Sequence, residues 1–210
     1  MSLTDLLFPP RCLLCGDLDE AFCATCRASI LRLPGRPLPP AGISAIISVG
    51  PHTGALRDAV LRLKFGQGVA LVEPMAELLA AELAPVEHHW RITLCVPVPL
   101  HWLRRLERGF NQAELLAEAV ARRTGVRAEN ALCRRRYTPS QVAVAQPALR
   151  RHNLLNAIAA RPNAGLAGQR ILLIDDVWTT GTTLTECSRV LRAAGAADVF
   201  ALTVTSPFTS

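Results

Sequence analysis

The chain has 210 residues, half of them apolar, and a formal charge of +6, which suits one α/β domain with a full core and a small appendage at one end. No stretch reaches the ~18 uninterrupted apolar residues that a membrane-spanning helix needs. The start, Met1-Ser2-Leu3-Thr4-Asp5, has no basic n-region, and Pro9-Pro10-Arg11 interrupts any secretory h-region, so a cytoplasmic protein without membrane insertion is expected.

Four of the seven cysteines lie in the first 27 residues, as Cys12-x2-Cys15 and Cys23-x2-Cys26. Two such knuckles complete one tetrahedral thiolate site, with no position left for a water to be activated. Residues 1–32 are therefore expected to form a module around a structural Zn²⁺, with Cys12, Cys15, Cys23 and Cys26 as ligands. The proline-rich stretch Leu33 to Pro40 marks a linker over 33–42, leaving 43–210 as the main domain.

In that domain Ile43 to Val49 reads as a strand, and Leu56, Val60 and Leu63 recur at helical spacing. Pro74 stands where a helix can begin, and Met75, Leu78, Leu79 and Leu83 form its apolar stripe. Ile92 to Val98 is apolar and β-branched, as in a buried strand, and runs into an arginine-rich turn from Leu100 to Gly109. A helix carrying Leu115, Leu116, Ala119 and Val120 is stopped near Gly125. The long polar stretch from Arg134 to Asn153 reads as a loop or lid. Ile171 to Ile174 is a second buried strand. Thr182 to Ala194 is a helix with Leu184, Cys187, Val190 and Leu191 on one side, and Val199 to Val204 is a third strand. This alternation predicts an α/β fold with a mainly parallel sheet.

The run Ile171-Leu172-Leu173-Ile174-Asp175-Asp176-Val177-Trp178-Thr179-Thr180-Gly181-Thr182-Thr183 passes from buried strand through paired acids into a hydroxyl-rich loop that opens a helix. Amides at a helix N-terminus favour an anion, Gly181 admits close backbone approach, and the threonine hydroxyls of Thr179, Thr180, Thr182 and Thr183 add donors. Asp175 and Asp176 repel each other unless a polyol or cation engages them. The plainer alternative makes Thr182 or Thr183 an N-cap and the aspartates solvated turn residues. Trp178 either covers a bound sugar or base or braces the turn.

Lys64 is the only lysine among 23 basic residues. The arginines cluster at Arg104, Arg105 and Arg108, at Arg134 to Arg136, and at Arg150 and Arg151, where either anionic ligands or solvent surround them. Cys95 and Cys187 read as small core residues, and none of the five histidines has metal-ligand spacing with the others.

The strand, acid and threonine run resembles the phosphoribosyl-pyrophosphate motif of type I phosphoribosyltransferases. That resemblance implies that Asp175 and Asp176 hold the ribose hydroxyls, that Thr179, Thr180, Gly181, Thr182 and Thr183 bind the 5′-phosphate, and that Mg²⁺ bridges ribose and pyrophosphate. Arg108-Gly109-Phe110 is similar to the pyrophosphate loop of those enzymes, and the segment from Arg134 through Arg150 and Arg151 stands where their mobile lid does. Together with the cysteines, Leu63-Lys64-Phe65, Arg108 to Ala113, Thr138 to Gln141 and Arg150 to Asn153, the whole chain resembles the ComF family of bacterial competence and DNA-uptake operons. Three functions follow as expectations: phosphoribosyl transfer to a nitrogen acceptor, a non-catalytic competence role with a helicase or single-stranded DNA, or a ligand sensor without turnover.

Overall fold

The computed structural model describes residues 10–18, 20–33, 35–65, 68–136 and 157–206. A short helix α1 (Ala24–Ala28) belongs to the cysteine module. The main domain runs β1 (Ile46–Pro51), α2 (Gly54–Lys64), α3 (Val72–Leu83), α4 (Glu87–Trp90), β2 (Leu94–Pro97), α5 (Trp102–Arg108) and α6 (Gln112–Thr124). It continues with β3 (Arg127–Ala128), β4 (Leu132–Arg134), β5 (Ile158–Ala160), β6 (Arg170–Val177), α7 (Thr182–Ala193) and β7 (Asp198–Ser206). Among the described residues no helix is long and apolar enough to cross a membrane.

Five strands form one parallel sheet in the order β1-β7-β6-β2-β3, and β4 and β5 pair antiparallel beside it. The sheet is wound in both directions from its middle: β2 leads outward to β3, and β6 leads outward to β7. The β2/β6 boundary is therefore the switch point, the place where open α/β sheets put their ligand crevice, at the carboxyl ends of the strands.

Alternation along the strands divides the core. Leu172 and Ile174 of β6 pack with Leu56, Val60 and Leu63 of α2, Met75 and Leu79 of α3, and Leu116 and Val120 of α6. Ile171 and Leu173 face the other way, onto Leu184, Cys187 and Leu191 of α7 and Ile158 of β5. Each fully buried Leu or Ile contributes roughly 1.5–3 kcal/mol, so the central strand is anchored on both faces just before it reaches the acids.

Two local expectations are corrected. The arginine-rich segment after β2 is a helix and not a turn, because His101 Nδ1 caps it by accepting from the Leu103 amide at 3.3 Å and Gly109 ends it at φ 81°. Pro74 lies inside the first turn of α3 and not at its start, where its missing N–H still costs no helical bond. Cys95 and Cys187 are fully buried, as expected of core residues.

Candidate functional site

β6 carries the acids to the crevice. The strand continues through Asp175 and Asp176 to Val177, so both acids lie in extended backbone and not in the turn. Period-two alternation then sends them to opposite faces: Asp175 shares the face covered by α7, and Asp176 the face covered by α2. Asp176 is 8% exposed, and its Oδ2 stands 3.2 Å from Nζ of Lys64, the last residue of α2. Burial, with the charge of Asp176 behind it, pushes the Asp175 carboxyl up to about 8. The Asp176 amide, which donates to Asp175 Oδ1 at 2.9 Å, and Lys64 pull the other way.

Beyond the acids the chain turns through Trp178. That ring is 5% exposed within the α7-side core, and its amide donates to Thr205 O at 2.9 Å, so Trp178 braces the turn. Gly181 follows at φ 75°. A Cβ there would meet Pro40 Cβ at 2.6 Å and Trp178 Nε1 at 3.0 Å, so both backbone conformation and packing require glycine. Gly181 is the N-cap of α7 and brings no side-chain cap to it. The Thr180 and Thr182 hydroxyls lie 2.9 Å apart, and Thr179 and Thr180 are exposed at the mouth. Helix amides and paired hydroxyls in this arrangement suit a phosphate.

The opposite wall is built from β2. Val98 N donates to Ile174 O at 2.9 Å, and Asn111 joins this strand end to α6, donating from Nδ2 to Val98 O and accepting at Oδ1 from the Ala113 amide, each at 3.1 Å. Arg108 and Gly109 are thereby held beside the crevice. Burial lowers the Arg108 guanidinium, and Asp176 opposes that effect. Arg134 is likewise lowered by burial and by Arg104, while Cys187 and Asp175 act against it. His52, whose Nδ1 lies 2.9 Å from Thr205 Oγ1, is lowered by burial and by Lys64 and Arg57. Cations thus stand on both faces of the acid pair, Lys64 and Arg108 about Asp176 and Arg134 about Asp175.

The structure brings Asp175, Asp176, the Thr179 to Thr183 loop and Arg108 to one mouth. Arg104 and Arg105 separate: Arg104 belongs to the field around His101, Arg108 and Arg134, whereas Arg105 pairs with Glu114 at 2.7 Å on the surface. Arg150, Arg151 and Thr138 to Gln141 lie outside the described residues. Lys64 had no site role in the sequence reading, and Arg134 entered it only as part of an arginine cluster at the start of the expected lid, whereas it ends β4. The segment Leu63-Lys64-Phe65 flagged the first; nothing in local pattern showed that β4 places Arg134 near Asp175.

At the other end of the chain, the Sγ atoms of Cys12, Cys15, Cys23 and Cys26 all lie within 4.8 Å of one another. Four sulfurs around a zinc ion at about 2.3 Å stand ~3.8 Å apart; here Cys12 and Cys26 are 3.8 Å apart and Cys15 and Cys23 3.6 Å. The Cys23 amide donates to Cys12 Sγ and the Cys26 amide to Cys23 Sγ, each at 3.5 Å. Burial pushes the Cys12 thiol up, but amides of Cys23, Cys15 and Leu14 outweigh it and bring it to about 6, while burial and the neighbouring thiols push Cys26 up. The cluster favours one thiolate and resists more, and a divalent cation removes that resistance. The donor set fits a structural zinc.

A phosphoribosyl transferase domain model matches residues 111–206, and a double zinc ribbon domain model matches residues 3–38. The chain is 31% identical over 189 residues to the DNA utilization protein YhgH of Escherichia coli (strain K12), covering 86% of this chain and 82% of that one. It is 27% identical over 195 residues to Competence protein F of Haemophilus influenzae (90% and 82% covered) and 26% identical over 206 residues to Competence protein ComFC of Bacillus subtilis (85% and 81% covered). The chain belongs to the ComF family. Its parallel sheet and β2/β6 crevice are those of a phosphoribosyltransferase fold, and its zinc ribbon is the cysteine module. Despite the word double, residues 3–38 of this ComF protein contain four cysteines and no histidine, enough for one tetrahedral ion.

Proposed function

We propose that this ComF protein binds phosphoribosyl pyrophosphate with Mg²⁺ in the β2/β6 crevice and transfers the phosphoribosyl group to a nitrogen nucleophile. The observation that carries the reading is the meeting of twin acids, a threonine-lined helix N-terminus and Arg108 at one switch-point mouth. Asp175 and Asp176 receive the ribose hydroxyls, and the amides and hydroxyls of Thr179 to Thr183 hold the 5′-phosphate. Arg108, beside the carboxyl end of β2, contributes to holding the diphosphate, a role proposed also for Arg150 and Arg151. Asp175, once it gives up its proton, and Asp176 would offer carboxylate oxygens to Mg²⁺, and the ion would help neutralise the leaving diphosphate. As the C1–O bond to pyrophosphate breaks and the bond from nitrogen to C1 forms, positive charge develops on the sugar, and positioning is the protein's chief contribution.

Calorimetry tests this directly. Mg²⁺ with phosphoribosyl pyrophosphate should bind the native chain, and Asp175→Ala with Asp176→Ala should abolish binding; a native chain that takes up no ligand would sink the reading.

A second reading, a non-catalytic competence role with a helicase or single-stranded DNA, is favoured by the names of the relatives, Competence protein F and DNA utilization protein, and by the +6 charge. Either role belongs in the cytoplasm, whose reducing conditions keep the zinc thiolates free of disulfides. Replacing the ligand by a single-stranded oligonucleotide in the same titrations distinguishes the two: a complex that weakens steeply with added salt supports direct DNA contact through arginine.

A further inference from the structure

The acid on the α2 face already has a partner. Lys64 Nζ meets Asp176 Oδ2 at 3.2 Å, with the two side chains 23% and 12% exposed. All other basic residues of this chain are arginine, and where the chain fixes a buried carboxylate with arginine it uses both prongs: Arg189 Nε and Nη2 each donate to Glu186 at 2.8 Å. A guanidinium grips two carboxylate oxygens at once, whereas an ammonium is a point charge on a flexible stem. At Asp176 the ammonium stands 3.2 Å from Oδ2 and, as a point charge, brings no two-pronged grip to the carboxylate.

The position of Lys64 adds to this. It ends α2, and the following Phe65 is 74% exposed, so the ammonium stands where the helix opens to solvent. The surrounding field is positive: Lys64 and Arg57 both lower His52, and Arg108 feels Asp176 from the β2 side. Asp176 is the carboxylate that offsets these cations. Ligand hydroxyls leave the charge of Asp176 unchanged but take the place of the ammonium at its oxygens, and the displaced ammonium can then meet a diphosphate.

We propose that Lys64 is a counter-ion that gives way: Asp176 exchanges the Lys64 ammonium for ribose hydroxyls of the incoming ligand, and the released ammonium takes the ligand's diphosphate. This assignment rests on the phosphoribosyl pyrophosphate reading and gives Lys64 two successive partners at one site. A structural ion pair would tolerate arginine at position 64; a counter-ion that gives way would not, because the two-pronged grip competes with the sugar.

Two measurements test it. The first needs no sugar ligand. Lys64 is the only lysine, so an amine-acylating ester followed by peptide mass spectrometry reads its reactivity at one site, apart from the N-terminal amine. Asp176→Asn should speed acylation of Lys64 several-fold, and an unchanged rate overturns the pairing on which the exchange depends. The second is calorimetry with Mg²⁺ and phosphoribosyl pyrophosphate on variants whose thermal melts match the native chain. Lys64→Met should weaken binding by about tenfold or more, having lost the cation for the diphosphate. Lys64→Arg should also weaken it, by about tenfold, although the charge is kept. Native affinity in either variant ends this proposal alone, whereas a native chain that binds no phosphoribosyl pyrophosphate ends the parent reading and this one with it.

Discussion

Burial and the neighbouring Asp176 raise the Asp175 carboxyl from 3.8 to about 8, which favours its protonated form in the ligand-free chain. In the unfolded chain the same carboxyl ionises near its ordinary value, so between those two pH values the native state binds a proton that the unfolded state has released. Stability therefore falls as pH rises across that window, by at most ~1.4 kcal/mol per pH unit and, with solvent reaching part of the site, by about 1–2 kcal/mol in all. Asp175→Asn removes the titration. Thermal melts of the native chain at pH 5 and pH 8 should show a drop at the higher pH that the asparagine variant lacks; equal drops in both proteins would mean that Asp175 titrates normally. The same residue shows what a sequence leaves out. The pairing of acids was plain in Asp175-Asp176, but their separation onto two sheet faces depends on β6 remaining extended through Val177, and a motif followed by threonine and glycine reads equally well as a turn.

At the scale of elements, the Thr179 to Thr183 loop is fastened from outside by the proline-rich stretch that precedes β1. Pro40 lies against Gly181, the Gly42 carbonyl accepts from Ser188 Oγ at 2.6 Å and from Arg192 Nε at 2.8 Å, and Ser44 Oγ accepts from Arg192 Nη2 at 3.0 Å. Residues 40–44 thus run along α7, the helix that the threonine loop opens. Gly181→Ala should cost about 2 kcal/mol or more, combining left-handed strain with the clash on Pro40. Pro40→Gly removes that obstacle, so denaturant unfolding of the double variant should recover part of the loss. Strict additivity of the two changes would show that linker and loop are uncoupled. None of this contact was legible in the sequence, where prolines mark a linker and say nothing of what it touches. The strands β2, β6 and β7 were legible because each lies in an apolar, β-branched run of the sequence, and the helices α2, α3 and α6 because each repeats its period over enough residues to bury a face. Short elements were not. β3 has two residues, β4 and β5 have three each and pair across a long segment, and α5 has an uncovered face in which Trp102 and Leu106 are 58% and 73% exposed.

For the molecule as a whole, the question is whether the zinc ribbon is a separate bead or part of the fold. Phe22, just before Cys23, is fully buried in the same core as Leu56, Leu79 and Leu172, and Leu13, Leu14, Cys26 and Ile30 pack around that core. Leu31 O comes so close to β1 that a Cβ on Gly50 would stand 2.4 Å from it. The ion pairs Arg27 to Glu77 and Arg32 to Glu82 also cross this contact, but exposed pairs contribute only about 0–1 kcal/mol each. Phe22 contributes far more, since deleting a buried phenylalanine costs about 3–5 kcal/mol. The four cysteines hold the backbone that presents Phe22, so stripping the metal should loosen Phe22 from the main core and not merely unfold a terminal knuckle. Differential scanning calorimetry with and without a chelator is the measurement. The principal transition should move down by several degrees, Phe22→Ala should lower it comparably in the zinc-loaded protein, and Arg27→Ala should barely shift it. A principal transition that stays in place after zinc removal would make the ribbon an independent bead. Movement of the main transition would instead make metal loading a condition for the stability of the sheet that carries Asp175 and Asp176.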